Sequence, residues 1–258
     1  MIRGVLGSRA SIGGVLGSGR GGGGNGLLTG LVAYWGLDEA SGNALDKHSG
    51  GLTLTQANNP GADTGKVYAT ARTFNGNNTY FSRASETAIQ LGDIDFCVAA
   101  WVFLTNVTAQ RLIASQYRFG DSHRVWFVDY LNTSNRFRFG ISGDGVNATI
   151  AVADNFGGPS GSTWYLVYVY HDATANQIGI SINNGTANTQ AHTTGAAADT
   201  VAPLAIGAFF NTTAIVGGTT WFGRLGPVAF WKNRTLDATA RAALWNGGNG
   251  LAYSAFTA

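Results

Sequence analysis

One stretch restricts the fold more than any other: Ile94–Phe103, which reads as a strand with two apolar faces. Successive side chains of a strand point to opposite sides, so every second residue shares a face. Phe96, Val98, Ala100 and Val102 form one face, and Cys97, Ala99, Trp101 and Phe103 form the other. Both faces therefore need cover from water. We expect the core of a two-sheet sandwich to cover one face, and a loop, the N-terminal arm or another subunit to cover the other.

The composition agrees with a protein of strands and turns. Charged residues make up only 12% of the 258 residues, and 38 glycines accompany many Thr, Asn and aromatic residues. This profile, with little helical periodicity, favours one large β domain plus an arm. The formal net charge of +2 is too small to indicate a nucleic-acid partner.

Other function classes are disfavoured by what the sequence contains. The single cysteine, Cys97, supports neither a disulfide framework nor a cysteine-based zinc site, and its apolar strand predicts a buried small hydrophobe. No apolar run approaches the roughly 20 residues of a spanning helix, so we expect no membrane contact. The first residues are broken by Gly, Ser and Arg and do not form a signal-peptide core. We expect any release from the cell by another route, such as lysis as part of a particle.

Residues 1–28 read as a separate glycine-rich arm. Gly-Val-Leu-Gly-Ser occurs at Gly4–Ser8 and again at Gly14–Ser18, and four glycines follow at Gly21–Gly24. Such a segment cannot bury enough apolar surface to offset its ordering entropy when it is alone. Two interpretations stay open: a flexible tether, or an extended arm that becomes ordered along a neighbouring subunit.

The domain, residues 29–258, opens at Leu31–Leu54 with a strand, a polar loop and a second turn at Asp46–Gly51. Its Leu-Val-Ala-Tyr-Trp-Gly-Leu-Asp-Glu-Ala-Ser-Gly start resembles that of laminin-G-like, concanavalin-A-like lectin domains, including pentraxin-like jelly rolls. Further segments resemble the family in the same order. They are Ala71–Ser82, Ile94–Phe103, Thr163–Tyr170, Gln177–Gly185, Leu204–Gly207, Trp221–Trp231 and Leu236–Trp245.

The resemblance spans about residues 30–252 and implies an all-β, two-sheet antiparallel jelly-roll sandwich. In its last segment, Asp237 is placed to cap a short C-terminal helix that Gly247 ends. At Asn183-Asn184-Gly185, the Asn-Gly pair predicts the positive φ angles of a type I′ hairpin turn.

Glycoside hydrolases share this fold and resemble one another through carboxylates at alternate positions of one strand, because one acid attacks while the other donates a proton. The chain has two glutamates, Glu39 and Glu86, both in predicted loops. Asp93 and Asp95 alternate, but they lie at a strand entry with no further acid behind them. We therefore expect no catalytic residues and no enzyme activity.

Histidines and a structural calcium ion are the remaining site candidates. His48, His123, His171 and His192 show no zinc-ligand spacing and are predicted to be solvated loop residues. The resemblance implies a calcium ion near Asp46, with a second carboxylate where this chain has Leu225-Gly226-Pro227. That departure favours a turn-capping role for Asp46 over a calcium-binding one, and we expect no cofactor.

Carbohydrate binding is the function that the resemblance implies. Trp126, Tyr130 and Asn132 form a candidate patch, although aromatic residues at strand spacing belong to the core more often than to a site. The sequence does not locate the glycan-binding residues.

The arm, the lack of a signal-peptide core, the scarcity of charge and the doubly apolar strand together favour a non-enzymatic virion structural protein. The combination of an arm with a lectin-like domain resembles phage surface proteins, which implies a bacteriophage. The protein would be a head decoration, tail or fibre component, anchored to other virion subunits through residues 1–28 and forming a homo-oligomer. Its lectin-like domain would bind host-surface or environmental glycans. The alternative is a secreted or cell-surface bacterial carbohydrate-binding or adhesion module, and the weakest candidate is an unusual glycanase.

Overall fold

The computed structural model describes Met1, residues 24–199 and residues 201–258. In chain order its first strands are β1 (Leu31–Trp35), β2 (Thr55–Ala57), β3 (Gly61–Thr64), β4 (Thr70–Asn75), β5 (Tyr80–Arg83), β6 (Phe96–Leu104), β7 (Arg111–Arg118) and β8 (His123–Leu131). Then follow β9 (Arg136–Ile141), β10 (Thr149–Val152), β11 (Thr163–Asp172), β12 (Gln177–Ile182), β13 (Asn188–Ala191), β14 (Leu204–Ile206) and β15 (Phe222–Lys232). One α-helix, α1 (Ala238–Trp245), follows the last strand, and three short 3-10 turns lie at Thr87–Ile89, Asn246–Gly248 and Tyr253–Ala255.

The strands form two antiparallel sheets that pack face to face. The first sheet has the order β13-β12-β11-β6-β15-β4-β3, with β1 also paired to β15. The second sheet has the order β10-β9-β8-β7-β14-β5-β2. This is the jelly-roll sandwich that the sequence predicts. The predicted opening strand is confirmed, and so are the strands predicted between residues 71 and 231, which also include Leu112–Tyr117, Arg124–Tyr130 and Arg136–Ile141. In contrast, β2, β3, β10 and β13 were not predicted.

The core between the sheets is built from one face of β6 and the facing residues of the second sheet. Phe96, Val98, Ala100 and Val102 are at most 3% exposed and belong to this core, as the alternation predicts. Aromatic rings from the two sheets meet there: Trp126 of β8 stacks on Phe230 of β15 with ring centroids 6.4 Å apart.

The other face of β6 is covered by the C-terminal part of the same chain. Its buried residues Cys97, Ala99 and Trp101 form a second apolar layer with α1 and the segment that follows it. Leu244 and Phe256 contribute the largest buried apolar side chains from that side, and Trp245 stacks on Trp101 with centroids 5.4 Å apart. The Cys97 side chain is buried, which confirms the predicted small buried hydrophobe. This burial raises the pKa of its thiol to about 12.

The sequence also predicts how α1 begins and ends. The Asp237 side chain accepts a hydrogen bond from the Ala240 backbone N–H at 2.8 Å, which caps the first turn. Asn246 and Gly247 adopt left-handed conformations after the last turn, and these end the helix.

Residues 24–28, which the sequence boundary assigns to the arm, pack against the domain. Leu27 is fully buried in the second apolar layer, and its carbonyl accepts a hydrogen bond from Trp231 Nε1 at 2.8 Å. Asn25 Nδ2 donates to Ala255 O at 2.8 Å, and Asn25 Oδ1 accepts from the Thr257 backbone N–H at 2.9 Å. The chain therefore enters the domain at a point held by the C-terminal segment.

The two glycine-containing repeats of the arm, at residues 4–8 and 14–18, lie outside the described residues. Within the described part of the chain, no helix has the length and apolar character needed to cross a membrane.

Candidate functional site

Two β-bulges decide which side chains of β7 and β8 face away from the core. Leu112 pairs with Asp129 and Ala114 with Val128, so β7 carries one extra residue at Ile113. Further along, Gln116 pairs with Trp126 and Tyr117 with Arg124, so β8 carries an extra residue at Val125. A bulge shifts the alternation of side chains by one position. As a result Leu112, Tyr117, Arg124, Phe127 and Asp129 all lie on the outer face of the second sheet.

All of these outer-face residues except Asp129 line a depression of about 320 Å³. Its lining combines apolar, aromatic, amide and guanidinium groups: Gln110, Leu112, Tyr117, Phe119, Arg124, Phe127 and Phe209. We call these seven residues the aromatic pocket. The volume lies at the lower end of the roughly 300–1,000 Å³ typical of ligand pockets.

The aromatic rings of the pocket support one another edge to face. Tyr117 contacts Phe127 and Phe209 in T-shaped arrangements with centroids 5.3 and 5.9 Å apart, and Phe209 contacts Phe119 at 5.7 Å. Phe119 is 39% exposed, so part of this surface is open to a ligand. Ring faces of this kind bind apolar C–H faces, and the polar groups beside them can orient a ligand.

The Phe127 ring lies across β9 because the residue opposite it has no side chain. Gly140 pairs with Phe127, and a Cβ at Gly140 would overlap the Phe127 ring. The Arg138 guanidinium also lies over the Phe127 ring, 5.8 Å from its centroid. The absence of a side chain at Gly140 therefore leaves room for the Phe127 ring, which forms the floor of the pocket.

A buried ion pair supports the pocket from below. Asp129 is fully buried, and its carboxylate accepts hydrogen bonds from Arg138 Nε at 3.0 Å and Arg138 Nη2 at 2.6 Å. Gln110 Nε2 donates to the same carboxylate at 2.7 Å, which fixes the amide at the pocket rim. Burial raises the pKa of the Asp129 carboxyl, while Arg138 and Gln110 act in the opposite direction.

Arg124 gives the pocket its positive charge. Its guanidinium lies 5.8 Å from the centroid of the Tyr117 ring and donates to the carbonyls of Val146 and Phe119, the latter at 3.1 Å. Burial raises the pKa of the Tyr117 hydroxyl, and the adjacent Arg124 charge works against that rise.

Trp126, Tyr130 and Asn132 do not form a surface patch, and the core position that the sequence favours for aromatic residues at strand spacing is confirmed for Trp126 and Tyr130. Trp126 and Tyr130 are 2% and 0% exposed and point into the core between the sheets. Asn132 lies in the following turn, where its Nδ2 donates to Thr108 O at 3.2 Å. The residue between Trp126 and Tyr130 that matters for the site is Phe127, on the opposite face. Sequence reasoning missed it because a one-residue change of face cannot be read from the continuous apolar run Val125–Val128.

A larger groove of about 510 Å³ lies where β10 and β13 approach each other, and its Asp144 and His192 side chains are already hydrogen-bonded. Asp144 accepts hydrogen bonds from the backbone N–H groups of Val146 and Asn147 at 2.8 and 2.7 Å. His192 contacts Thr149 Oγ1 and Gly195 O at 2.9 and 2.7 Å. Its lining contains no Phe, Tyr or Trp side chain, so this groove is a weaker candidate for sugar binding.

The acids considered for catalysis do not converge on the aromatic pocket. Glu86 pairs with Arg83, and Asp95 accepts a hydrogen bond from the Ala173 backbone N–H at 2.8 Å. Asp93 lies 3.9 Å from the buried His171. The seven lining residues include no carboxylate, whereas glycoside hydrolysis uses two. The arrangement is suited to binding.

The prediction that the four histidines are solvated is wrong for two of them. His171 is 0% exposed on β11, with its Nδ1 2.8 Å from Ile94 O, and His192 is 7% exposed. His48 and His123 are partly exposed, and His123 Nδ1 lies 2.6 Å from Asp199 Oδ2.

Asp46 is surrounded by hydrogen-bond donors and is unsuited to a calcium ion. Its Oδ1 accepts from the backbone N–H groups of Tyr34 and His48 at 3.1 and 2.9 Å. Its Oδ2 accepts from Ser49 Oγ at 2.5 Å and from the Leu52 N–H at 3.3 Å. Burial alone would raise the pKa of this carboxyl, but these hydrogen bonds bring its pKa below the ordinary value. In the described residues no three His, Cys, Asp or Glu side chains come together to hold a metal ion.

A two-sheet antiparallel sandwich with an aromatic pocket on one sheet places the protein among lectin-like β-sandwich domains. The sequence profile of the family Laminin_G_3, described as the concanavalin A-like lectin/glucanases superfamily, matches residues 51–240. The chain belongs to this family. A comparison with curated proteins finds no match.

Solved structures share the fold at low sequence identity. The binding domain of Paraclostridial Mosquitocidal Protein 1 has a TM-score of 0.67 and 13% identity over 86% of this chain and 53% of that chain. Domain 4 of AbnA, a GH43 extracellular arabinanase from Geobacillus stearothermophilus in complex with arabinotriose, has a TM-score of 0.57 and 12% identity, covering 82% and 96%. The ligand binding domain of botulinum neurotoxin serotype D in complex with N-acetylneuraminic acid has a TM-score of 0.61 and 8% identity, covering 86% and 52%. This chain thus spans about half the length of the two toxin domains.

Proposed function

We propose that the domain is a non-enzymatic carbohydrate-binding module and that the aromatic pocket is its glycan-binding site. The observation that carries this proposal is the combination of Tyr117, Phe127 and Phe209 rings with the fixed Gln110 amide around one depression. Sugar rings present apolar C–H faces and hydroxyl edges, and this lining offers a partner to each. Two structural neighbours were solved with sugars bound, which supports the same proposal.

A glycan array followed by calorimetry on the strongest hit tests this function. Phe209→Ala removes one ring of the pocket and should weaken binding by about tenfold, the scale of one lost aromatic contact. Phe156→Ala is the control, because it removes the same ring from an exposed position (36%) outside the aromatic pocket. An array without a saturable hit, or equal losses in both variants, would contradict the proposal.

We further propose that this module serves in a virion, as a head decoration, tail or fibre component that forms a homo-oligomer. The glycine-rich repeats of the arm support an assembly role, and the contacts of Asn25 and Leu27 with the domain favour an arm that leaves from a fixed point. The alternative is a secreted or cell-surface adhesion module with the same pocket.

Two deletions test the arm separately from the fold. Deletion of residues 2–23 keeps every contact described for residues 24–258 and should abolish incorporation into particles while preserving the unfolding midpoint. Deletion of residues 2–28 also removes the buried Leu27 and should lower that midpoint. Unchanged particle incorporation of the shorter deletion would contradict the virion role, and light scattering of the purified chain reports the oligomeric state.

A further inference from the structure

The aromatic pocket carries one positive charge, that of Arg124, for which the described part of the chain supplies no carboxylate in direct contact. Arg138 is paired with Asp129 in a two-pronged ion pair, so its charge is cancelled. Arg124 has no such partner: among residues 24–199 and 201–258, no carboxylate lies within 4.0 Å of its guanidinium.

The acids of nearby loops are already engaged. Asp121 and Asp199 each form an ion pair with a neighbouring basic residue. The Asp144 carboxylate accepts hydrogen bonds from its own turn. None of them is placed to pair with Arg124.

The bulge at Val125 has the effect of bringing this charge to the pocket. In a regular strand of the same sequence, Arg124 lies two positions before Trp126 and would share its inward face. The guanidinium is also held in place, since its two terminal nitrogens donate to the carbonyls of Val146 and Phe119. Of the five N–H groups of the guanidinium, Nε–H is buried and two are engaged by these carbonyls, so the remaining N–H groups of the two terminal nitrogens are the donors left for a ligand.

From these observations we infer that the aromatic pocket selects acidic sugars, with Arg124 binding the carboxylate or sulfate of the glycan while the rings contact its apolar face. This inference rests on the proposed function and names its ligand class. A planar guanidinium suits an oxyanion because it can donate two parallel hydrogen bonds.

The test uses matched pairs of neutral and acidic glycans on the full-length protein. Lactose, 3′-sialyllactose and 3′-sulfolactose distinguish carboxylate from sulfate on one scaffold, and a galactose trimer paired with a galacturonic acid trimer extends the comparison to uronic acids. The acidic member of at least one pair should bind at least about tenfold more tightly, the effect of one charge-assisted hydrogen bond. That preference should weaken as salt is raised.

Arg124→Gln should remove the preference, so that the acidic and neutral members of each pair bind with similar affinity, and saturable binding of the neutral member shows that the variant pocket is intact. Arg136→Gln is the matched control, because it changes the net charge equally on β9 but Arg136 pairs with Asp154 outside the pocket. Neutral glycans as the strongest hits, or an acidic preference that survives in Arg124→Gln, would overturn the inference alone. An array on which no glycan binds would overturn the proposed function together with it.

Discussion

At the scale of single residues, Asp129 and Arg138 show how a buried polar pair can support a surface site. Asp129 is fully buried and the Arg138 side chain is 15% exposed, so neither charge is well solvated. Removal of one partner leaves the other as an uncompensated buried charge, which costs more than the pair itself contributes.

Asp129→Leu and Arg138→Met should therefore each lower the free energy of unfolding by about 3–5 kcal/mol. The double variant should lose much less than the sum, because no unpaired charge remains. Chemical denaturation of the four proteins measures this cycle. Additive losses would show that the two side chains do not act as a pair.

Asp46 gives a pH-dependent prediction. Its pKa is below the ordinary value in the folded state, so the carboxylate contributes stability above about pH 4, and this contribution is lost as the pH falls through the folded-state pKa. Asp46→Asn places an amide against several N–H donors and should cost about 1–3 kcal/mol at pH 7.

The difference between wild type and Asp46→Asn should shrink as the pH is lowered below about 4, because the wild type then loses its charge as well. Denaturation midpoints at several pH values measure it. Asp154→Asn is the control, since that side chain is 67% exposed and its surface ion pair is worth under about 1 kcal/mol. A gap that stays constant with pH would contradict this role for Asp46.

At the scale of secondary-structure elements, the packing of the Phe127 ring of β8 over the paired strand β9 depends on the absence of a side chain at Gly140. Gly140→Ala would place a Cβ against the Phe127 ring and should cost about 1–3 kcal/mol while displacing the pocket floor. Glycan affinity should fall with it. Gly217→Ala is the matched control because no heavy atom lies within 4 Å of its added Cβ. Equal stability and binding in both variants would contradict the role of Gly140.

The elements also show what could be predicted from the sequence. The strong strands and the Asp237 cap follow from local patterns, and the structure confirms them. The pocket does not follow, because it depends on two bulges. A bulge is a property of the pairing between strands, and the single apolar run around Trp126 does not record where the extra residue lies.

One turn shows the same limit on a smaller scale. The Asn-Gly pair was predicted to supply the positive φ angles of a hairpin, but the left-handed residues are Asn183 and Asn184, followed by Gly185. The Gly185 N–H donates to Ile182 O at 2.9 Å, so the turn begins one residue earlier. Asn tolerates the left-handed region nearly as readily as Gly does, and the sequence alone does not choose between the two registers.

At the scale of the whole molecule, the protein has three layers: the second sheet, the first sheet, and the C-terminal segment on the back of β6. The third layer explains how a strand with two apolar faces is covered without another subunit. Because the layer is thin, single side chains in it should matter.

Leu244→Ala should cost about 2–5 kcal/mol, since Leu244 is 5% exposed and packs behind Trp101 and Leu166. Binding of a hydrophobic dye should rise if the layer loosens. Ala242→Gln on the exposed side of α1 is the control and should stay within about 0.5 kcal/mol of wild type. An equally small effect for Leu244→Ala would mean that the helix is not required to cover the sheet.

The hydrogen bonds between Asn25 and Thr257 have a consequence for engineering and evolution. They bring the chain's entry into the domain beside its exit, on one edge of the sandwich. A domain whose two ends are adjacent can be inserted into a surface loop of a host protein, because the two loop residues that flank the insertion stay close together. The domain can also be circularly permuted: a short linker would join residues 25 and 257, and new termini would be placed at an exposed turn. The same aromatic pocket can therefore be formed by chains in which the strands follow one another in a different order.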